Sequence, residues 1–206
     1  DVMRTIIVVL FLLLYTIVSL PMYLIGFILG KMDPKKKVRM SQRFVAGGFR
    51  CILFLSGVKV TVKGKENQIH DKAALYVFNH RSFFDIVVGY ATAPIPSAFV
   101  SKKEIAKVPM ISWWMKYLNC LFLDRDDIRQ GMKVILTGIE LMKEGTNIFI
   151  APEGTRNSSD ELLPFHEASF KLAEKSKSPI VPVAMNNMDA VLEQHMPWIR
   201  RTHGII

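Results

Sequence analysis

His80 and Asp85 are the first residues whose types and spacing could do chemistry. They lie in the stretch Asn79-His80-Arg81-Ser82-Phe83-Phe84-Asp85. An imidazole held by a carboxylate is a general base: it can take the proton of an alcohol as that alcohol attacks, while the carboxylate fixes the ring tautomer and stabilises the imidazolium. Five residues apart, the two would stand roughly 140° apart on one regular helix, so they can meet only if His80 precedes the helix. Ser82 provides that start, since Ser-Phe-Phe-Asp reads as an N-cap followed by a carboxylate three positions later. The plain alternative is that Asp85 only caps a helix and His80 only holds its own turn.

A second stretch, Pro152-Glu153-Gly154-Thr155-Arg156, follows an apolar strand in the same way. Arg156, with Arg125, offers a planar and permanently charged fork suited to a phosphate monoester. Ordinary ion pairing is the other reading, Arg125 with Asp124 or Asp126 and Arg156 with Glu161. Gly154 allows the backbone to approach a substrate closely, while Glu153 reads as shaping the loop rather than handling protons.

Short apolar runs near 58 to 63, 73 to 78, 97 to 101, 120 to 123, 147 to 151 and 179 to 184 alternate with helical stretches, among them Pro109 to Leu118, Ile128 to Lys143 and Glu167 to Lys175. This alternation predicts an α/β fold with a mostly parallel sheet flanked by helices. In such a sheet both loops would fall at carboxyl ends of strands, where ligand crevices form. Trp113, Trp114 and Met115 read as core rather than as an interfacial belt.

Residues Thr5 to Leu29 are almost wholly apolar, long enough to cross a hydrocarbon core of about 30 Å. Pro21 is expected to break or kink that helix, which leaves a re-entrant insertion open. Lys31 to Arg43 then carries six basic residues against one acid, the pattern of a cytoplasmic flank facing anionic headgroups. Val38 to Gly57 forms a second apolar segment. The expected division is thus a hydrophobic membrane-anchoring region with a basic linker over 1–56 and a catalytic domain over 57–206, facing the cytoplasm.

The formal net charge of +9 implies an anionic partner. No zinc-finger or aromatic-basic pattern points to nucleic acid, so lipid and phosphate are the better candidates. Cys51 and Cys120 sit in apolar segments and read as buried thiols. No histidine pair or acidic run has metal-ligand spacing, and the expectation is a metal-free mechanism.

Taken together, four blocks resemble the glycerolipid acyltransferases, and most closely the 1-acylglycerol-3-phosphate acyltransferases. They are Asn79 with His80 and Asp85; Asn119-Cys120-Leu121-Phe122-Leu123-Asp124-Arg125; Pro152 to Arg156; and Ile180-Val181-Pro182-Val183. Asn119 stands where the family usually has glycine, Ala151 replaces an aromatic, and Phe165-His166-Glu167-Ala168 departs from a Phe-Lys-x-Gly pattern. The resemblance implies a glycerol-3-phosphate acyltransferase-like sheet and an N-terminal membrane-inserted two-helix element. It assigns His80 and Asp85 to catalysis and Lys102, Arg125, Glu153, Gly154, Thr155 and Arg156 to the substrate. No cofactor is implied beyond acyl-CoA or acyl-carrier protein as co-substrate. The expected reaction is acyl transfer to the sn-2 hydroxyl of lysophosphatidate. Glycerol 3-phosphate, another lysophospholipid, or a non-catalytic lipid-binding role are the alternatives. Because the family continues into a further strand and helix, the C-terminal end is expected to be truncated or diverged. No Gly-x-Ser-x-Gly elbow occurs, which argues against a serine hydrolase.

Overall fold

The computed structural model describes residues 1–159 and 161–206. Two long helices come first, α1 (Val2–Met32) and α2 (Pro34–Leu55). Asp33 separates them. It caps α2 by accepting from the Lys36 N–H at 2.9 Å, with Pro34 in the first helical turn, where its missing N–H costs nothing. Apolar side chains project from α1 on most of its circumference, Leu10, Leu13, Leu14, Ile17 and Leu24 all being exposed. By length and composition α1 can cross a membrane. At 31 residues it is about 46 Å long, against a hydrocarbon core of about 30 Å. The break expected at Pro21 is not seen: the helix runs through it, because proline removes a single ladder bond while its neighbours keep theirs.

The chain continues through β1 (Lys59–Thr61), β2 (Leu75–Phe78), α3 (Phe83–Thr92), β3 (Ser97–Lys102), α4 (Ile111–Tyr117), β4 (Leu121–Leu123), α5 (Ile128–Lys143), β5 (Asn147–Ile150), α6 (Lys171–Ser176), β6 (Ile180–Val183) and β7 (His203–Ile205). It forms two compact units. One comprises Asp1–Lys65, His80–Ala93 and Ala184–Ile206, and the other Glu66–Asn79 and Pro94–Val183. The division expected at 56/57 falls inside the first of these.

The second unit holds a five-stranded sheet in the order β4-β3-β5-β2-β6, parallel at every pairing. Alternation along the strands sends Leu75, Ala98, Leu121, Ile148 and Ile150 to one face, against Ile139 and Met142 of α5 and Leu172 and Ala173 of α6. Full burial of a residue such as Leu172 stabilises by about 1.5 to 3 kcal/mol. On the other face Tyr76, Phe149 and Phe99 stack with ring centroids 4.5 and 4.6 Å apart. Asn147 ties the strand starts together, accepting from Ala74 N at 2.9 Å and donating to Pro96 O at 3.0 Å. Pro182 lies in β6, an edge strand, where a missing donor is tolerated.

In the first unit α3 packs on α2, with Arg50 Nε donating to Ala91 O at 3.1 Å and Phe49 edge-on to Tyr90. Tyr15 of α1 donates to Phe44 O and stacks on the Phe44 ring. Its ring occupies the space where Gly48 lacks a Cβ. The strand expected near 58 to 63 does not join the main sheet. As β1 it pairs in parallel with β7, Val60 opposite Gly204. Three further readings change. Glu167 to Lys175 is a 3₁₀ turn (Glu167–Phe170) leading into the short α6. Cys51, in α2, is exposed, and only Cys120 is buried. Trp114 is core, but Trp113 is 39% exposed.

Candidate active site

The first unit carries the His80–Asp85 pair. Ser82 caps α3: its Oγ accepts from Phe84 N at 2.9 Å, and Asp85 reaches back to accept from Ser82 N at 2.8 Å. His80 therefore lies before the helix, and its Nδ1 stands 3.0 Å from Asp85 Oδ2. Both readings of Asp85 hold together, cap and imidazole partner, because the same oxygen also accepts from Arg81 N at 2.7 Å. Asp85 is 1% exposed. A carboxylate can only accept, so in the neutral ring the proton sits on Nδ1 and the lone pair on Nε2. That is the tautomer a general base requires.

Two carboxylates brace this loop from far along the chain. Arg81 Nη2 donates to Asp189 Oδ2 at 3.1 Å, and Glu193 accepts from the Ser82 hydroxyl and from Phe83 N, each at 2.7 Å. Burial raises the Asp189 carboxyl, but the hydrogen bonds from Gln194 and Arg81 and the charge of Arg81 outweigh it and hold it below the ordinary value.

The second unit carries the other stretch. Val77 lies opposite Ile150 in parallel register, so the chain leaves β2 and β5 at the same end of the sheet. Past β5 the backbone turns at Gly154, at φ 76, with its N–H on Ala151 O. Glu153 is buried, and its Oε2 accepts from Asn157 Nδ2 at 2.8 Å and Leu163 N at 2.9 Å. It holds the loop's shape. A Cβ at Gly154 would come within 2.8 Å of the His166 ring and 3.0 Å of the Arg125 guanidinium. Glycine here serves both the positive φ and the close approach of two side chains. His166, whose place the sequence pattern left open, is thus brought beside Arg125.

Lys102 and Lys103, adjacent in sequence, separate in space. Lys102 Nζ lies 3.5 Å from Thr155 Oγ1, whereas Lys103 Nζ is 2.6 Å from Asp124. The Lys103 hydrogen bond is the main reason the Asp124 carboxyl is held below its usual range and Lys103 above its own. Asp124 is therefore not the partner of Arg125, and among the described residues Arg125 forms no ion pair. Arg125 and Arg156 are both exposed. Asn119 adopts φ 58, the left-handed region, which accounts for asparagine in a glycine position.

Comparison with known proteins places the chain in a class. A model of the Acyltransferase family matches residues 59–186, and the chain belongs to that family. It is 33% identical over 150 residues to the 1-acyl-sn-glycerol-3-phosphate acyltransferase BAT2, chloroplastic, of Brassica napus, covering 71% of this chain and 43% of that protein. It is 32% identical over 160 residues to the 1-acyl-sn-glycerol-3-phosphate acyltransferase of Saccharomyces cerevisiae, covering 76% and 52%. The chain thus spans about half the length of the curated relatives it matches. Its fold is shared with the crystal structure of the 1-acyl-sn-glycerophosphate (LPA) acyltransferase PlsC from Thermotoga maritima. There the TM-score is 0.81 at 21% identity, over 99% of this chain and 82% of that one.

Proposed function

We propose that the protein transfers a fatty acyl group from acyl-CoA or acyl-carrier protein to the sn-2 hydroxyl of lysophosphatidate, giving phosphatidate. The observation that carries this reading is the 3.0 Å contact of His80 Nδ1 with the buried Asp85 carboxylate, in a chain whose relatives are named for acylating 1-acyl-sn-glycerol 3-phosphate. His80 Nε2 takes the hydroxyl proton as the oxygen attacks the thioester carbonyl. The C–S bond then breaks, and the imidazolium returns that proton to the departing thiolate. The products are the ester and a free thiol, with no covalent enzyme intermediate and no further cofactor. Asp85 stabilises the transient imidazolium.

Arg125, Arg156 and Lys102 are the cations assigned to the phosphate monoester, with the Thr155 hydroxyl beside Lys102. Gly154 keeps their loop open to close approach, and Glu153 fixes its course. The enzyme acts at a membrane, α1 inserting and the basic residues from Lys31 to Arg43 facing anionic headgroups on the cytoplasmic side. Such placement spares the acceptor the roughly 0.8 kcal/mol per CH₂ of drawing its acyl chain into water.

The test is to present the purified protein with a panel of lysophospholipids, glycerol 3-phosphate and both donor types, and to identify products by mass spectrometry. Phosphatidate from lysophosphatidate is the expected dominant product. Preferential acylation of a phosphodiester lysolipid, or no acyl transfer by the folded protein, would overturn the assignment.

A further inference from the structure

The N-terminus of a helix presents N–H groups that have no acceptor within the helix. In α3 these groups are shared out. Ser82 Oγ takes Phe84 N, Asp85 Oδ2 takes Ser82 N and Arg81 N, and Glu193 Oε1 takes Phe83 N at 2.7 Å. Glu193 Oε2 accepts the proton of the Ser82 hydroxyl, also at 2.7 Å. A hydroxyl has one proton to give. Committing it to Glu193 turns a lone pair toward Phe84 N–H, so one carboxylate sets both the cap rotamer and the first helical N–H. Ser82 is fully buried.

Asp189 does the parallel task for Arg81. It accepts from Arg81 Nη2 at 3.1 Å and from Gln194 Nε2 at 3.0 Å, while Gln194 N bonds back to Asp189 O. The segment that presents both carboxylates is itself anchored, by buried Met188 and Val191 and by Arg200 N on Val191 O. The consequence reaches the imidazole. Two of the three donors on Asp85 Oδ2 are the main-chain N–H groups of Arg81 and Ser82, the residues whose side chains Asp189 and Glu193 hold. A shift of either moves the oxygen that aligns His80 Nδ1.

We propose that Glu193, assisted by Asp189, is a positioning residue for the reaction: it closes the N-terminus of α3 and thereby sets the geometry of the His80–Asp85 pair. This rests on the reading of His80 as general base. In the full-length protein in mixed micelles, Glu193→Ala lowers kcat about tenfold to a hundredfold, the scale expected when a catalytic group is displaced by an ångström or less. KM for donor and acceptor stays within about twofold. The Nδ1–H resonance of His80, followed by NMR in protein labelled with ¹⁵N-histidine, shifts or is lost to exchange. Glu193→Gln keeps an acceptor for Phe83 N but sets an NH₂ donor where the Ser82 hydroxyl gives its proton, so it restores only part of the rate. If Glu193→Ala does not fold, Glu193→Asp takes its place, since it withdraws the carboxylate by one methylene, and the same kcat loss and resonance shift are expected.

A folded variant with unchanged kcat and an unchanged His80 resonance refutes the proposal, as does a loss carried wholly by KM. The ring resonance separates this outcome from failure of the underlying reading. Retention of activity by His80→Ala removes the base assignment, whereas the resonance in the Glu193 variants still decides whether Glu193 positions the pair.

Discussion

Asp85→Asn distinguishes this His-carboxylate pair from one in which the acid is free to turn. Asp85 Oδ2 accepts from three donors, and two of them, Arg81 N and Ser82 N, are main-chain groups that cannot become acceptors. In the asparagine variant they select the amide oxygen for the Oδ2 position. The NH₂ then falls where Oδ1 sits, buried and without a hydrogen-bond partner. His80 Nδ1 still finds an acceptor, so the ring keeps its tautomer and Nε2 keeps its lone pair. What is lost is the charge opposite the imidazolium. Charged hydrogen bonds contribute about 1.5 to 3 kcal/mol and neutral ones about 0.5 to 1.5, so the barrier rises by about 1 to 1.5 kcal/mol. That corresponds to a fall of about tenfold in kcat. Where such an asparagine turns the imidazole to the wrong tautomer, the fall is about 10⁴. The buried amide and the loss of a carboxylate at a helix start also cost about 1 to 3 kcal/mol of stability. The assay is single-turnover acyl transfer, with thermal unfolding followed in parallel at a temperature where the variant is folded. A loss in Asp85→Asn as deep as in His80→Ala would refute the reasoning, because it would mean that the main-chain donors do not pin the oxygen.

Arg156→Ala should raise KM for lysophosphatidate by about tenfold or more, and alter turnover on a phosphodiester lysolipid much less, since only the monoester offers a dianion to a guanidinium. Both acceptors are compared in micelles of fixed surface charge, and equal losses would make the residue a structural part of its loop. Gly154→Ala places a methyl against His166 and Arg125 at φ 76, a conformation costing an L-residue about 1 to 2 kcal/mol. A rise in acceptor KM together with a fall of a few degrees in unfolding temperature is expected, about what 1 to 2 kcal/mol produces in a domain of this size, and unchanged kinetics would show that the loop has room. Asp189 has a depressed carboxyl in the folded state, so its contribution to stability is complete above the ordinary aspartate value near pH 4 and is lost as pH falls through the folded one. Acid unfolding curves of Asp189→Asn should therefore converge with the parent below about pH 4 and separate above it. Parallel curves throughout would contradict this.

What the sequence made legible was local. His80, Ser82 and Asp85 lie within six positions, and capping rules alone require the histidine to precede the helix. The turn at Gly154 and the parallel strands before both stretches follow from equally short-range patterns. The asparagine at 119 shows how a departure from a family pattern can leave the physics intact: position 119 needs a left-handed backbone, and asparagine is among the few residues besides glycine that adopt one readily. At Pro21 the helix does not break, because a long apolar helix is able to spare one hydrogen bond.

The supports of the site were illegible because they are non-local. Glu193 meets Phe83 across 110 residues, and nothing in Asp189-Ala-Val-Leu-Glu193-Gln sets its carboxylates apart from surface ones. The strand pair β1 and β7 joins three-residue segments far apart in the chain, too short for alternation to register. Lys102 and Lys103 are the sharpest case. Adjacent and chemically identical, they differ only because Lys102 ends β3 while Lys103 opens the following 3₁₀ turn. That change of backbone direction sends one ammonium to Thr155 and the other to Asp124. Asp124 is thereby committed, which leaves the neighbouring Arg125 guanidinium over Gly154 rather than in the ion pair that adjacency implied. The place of the Arg125 guanidinium thus goes with the commitment of the carboxylate beside it, through a contact set where strand gives way to turn.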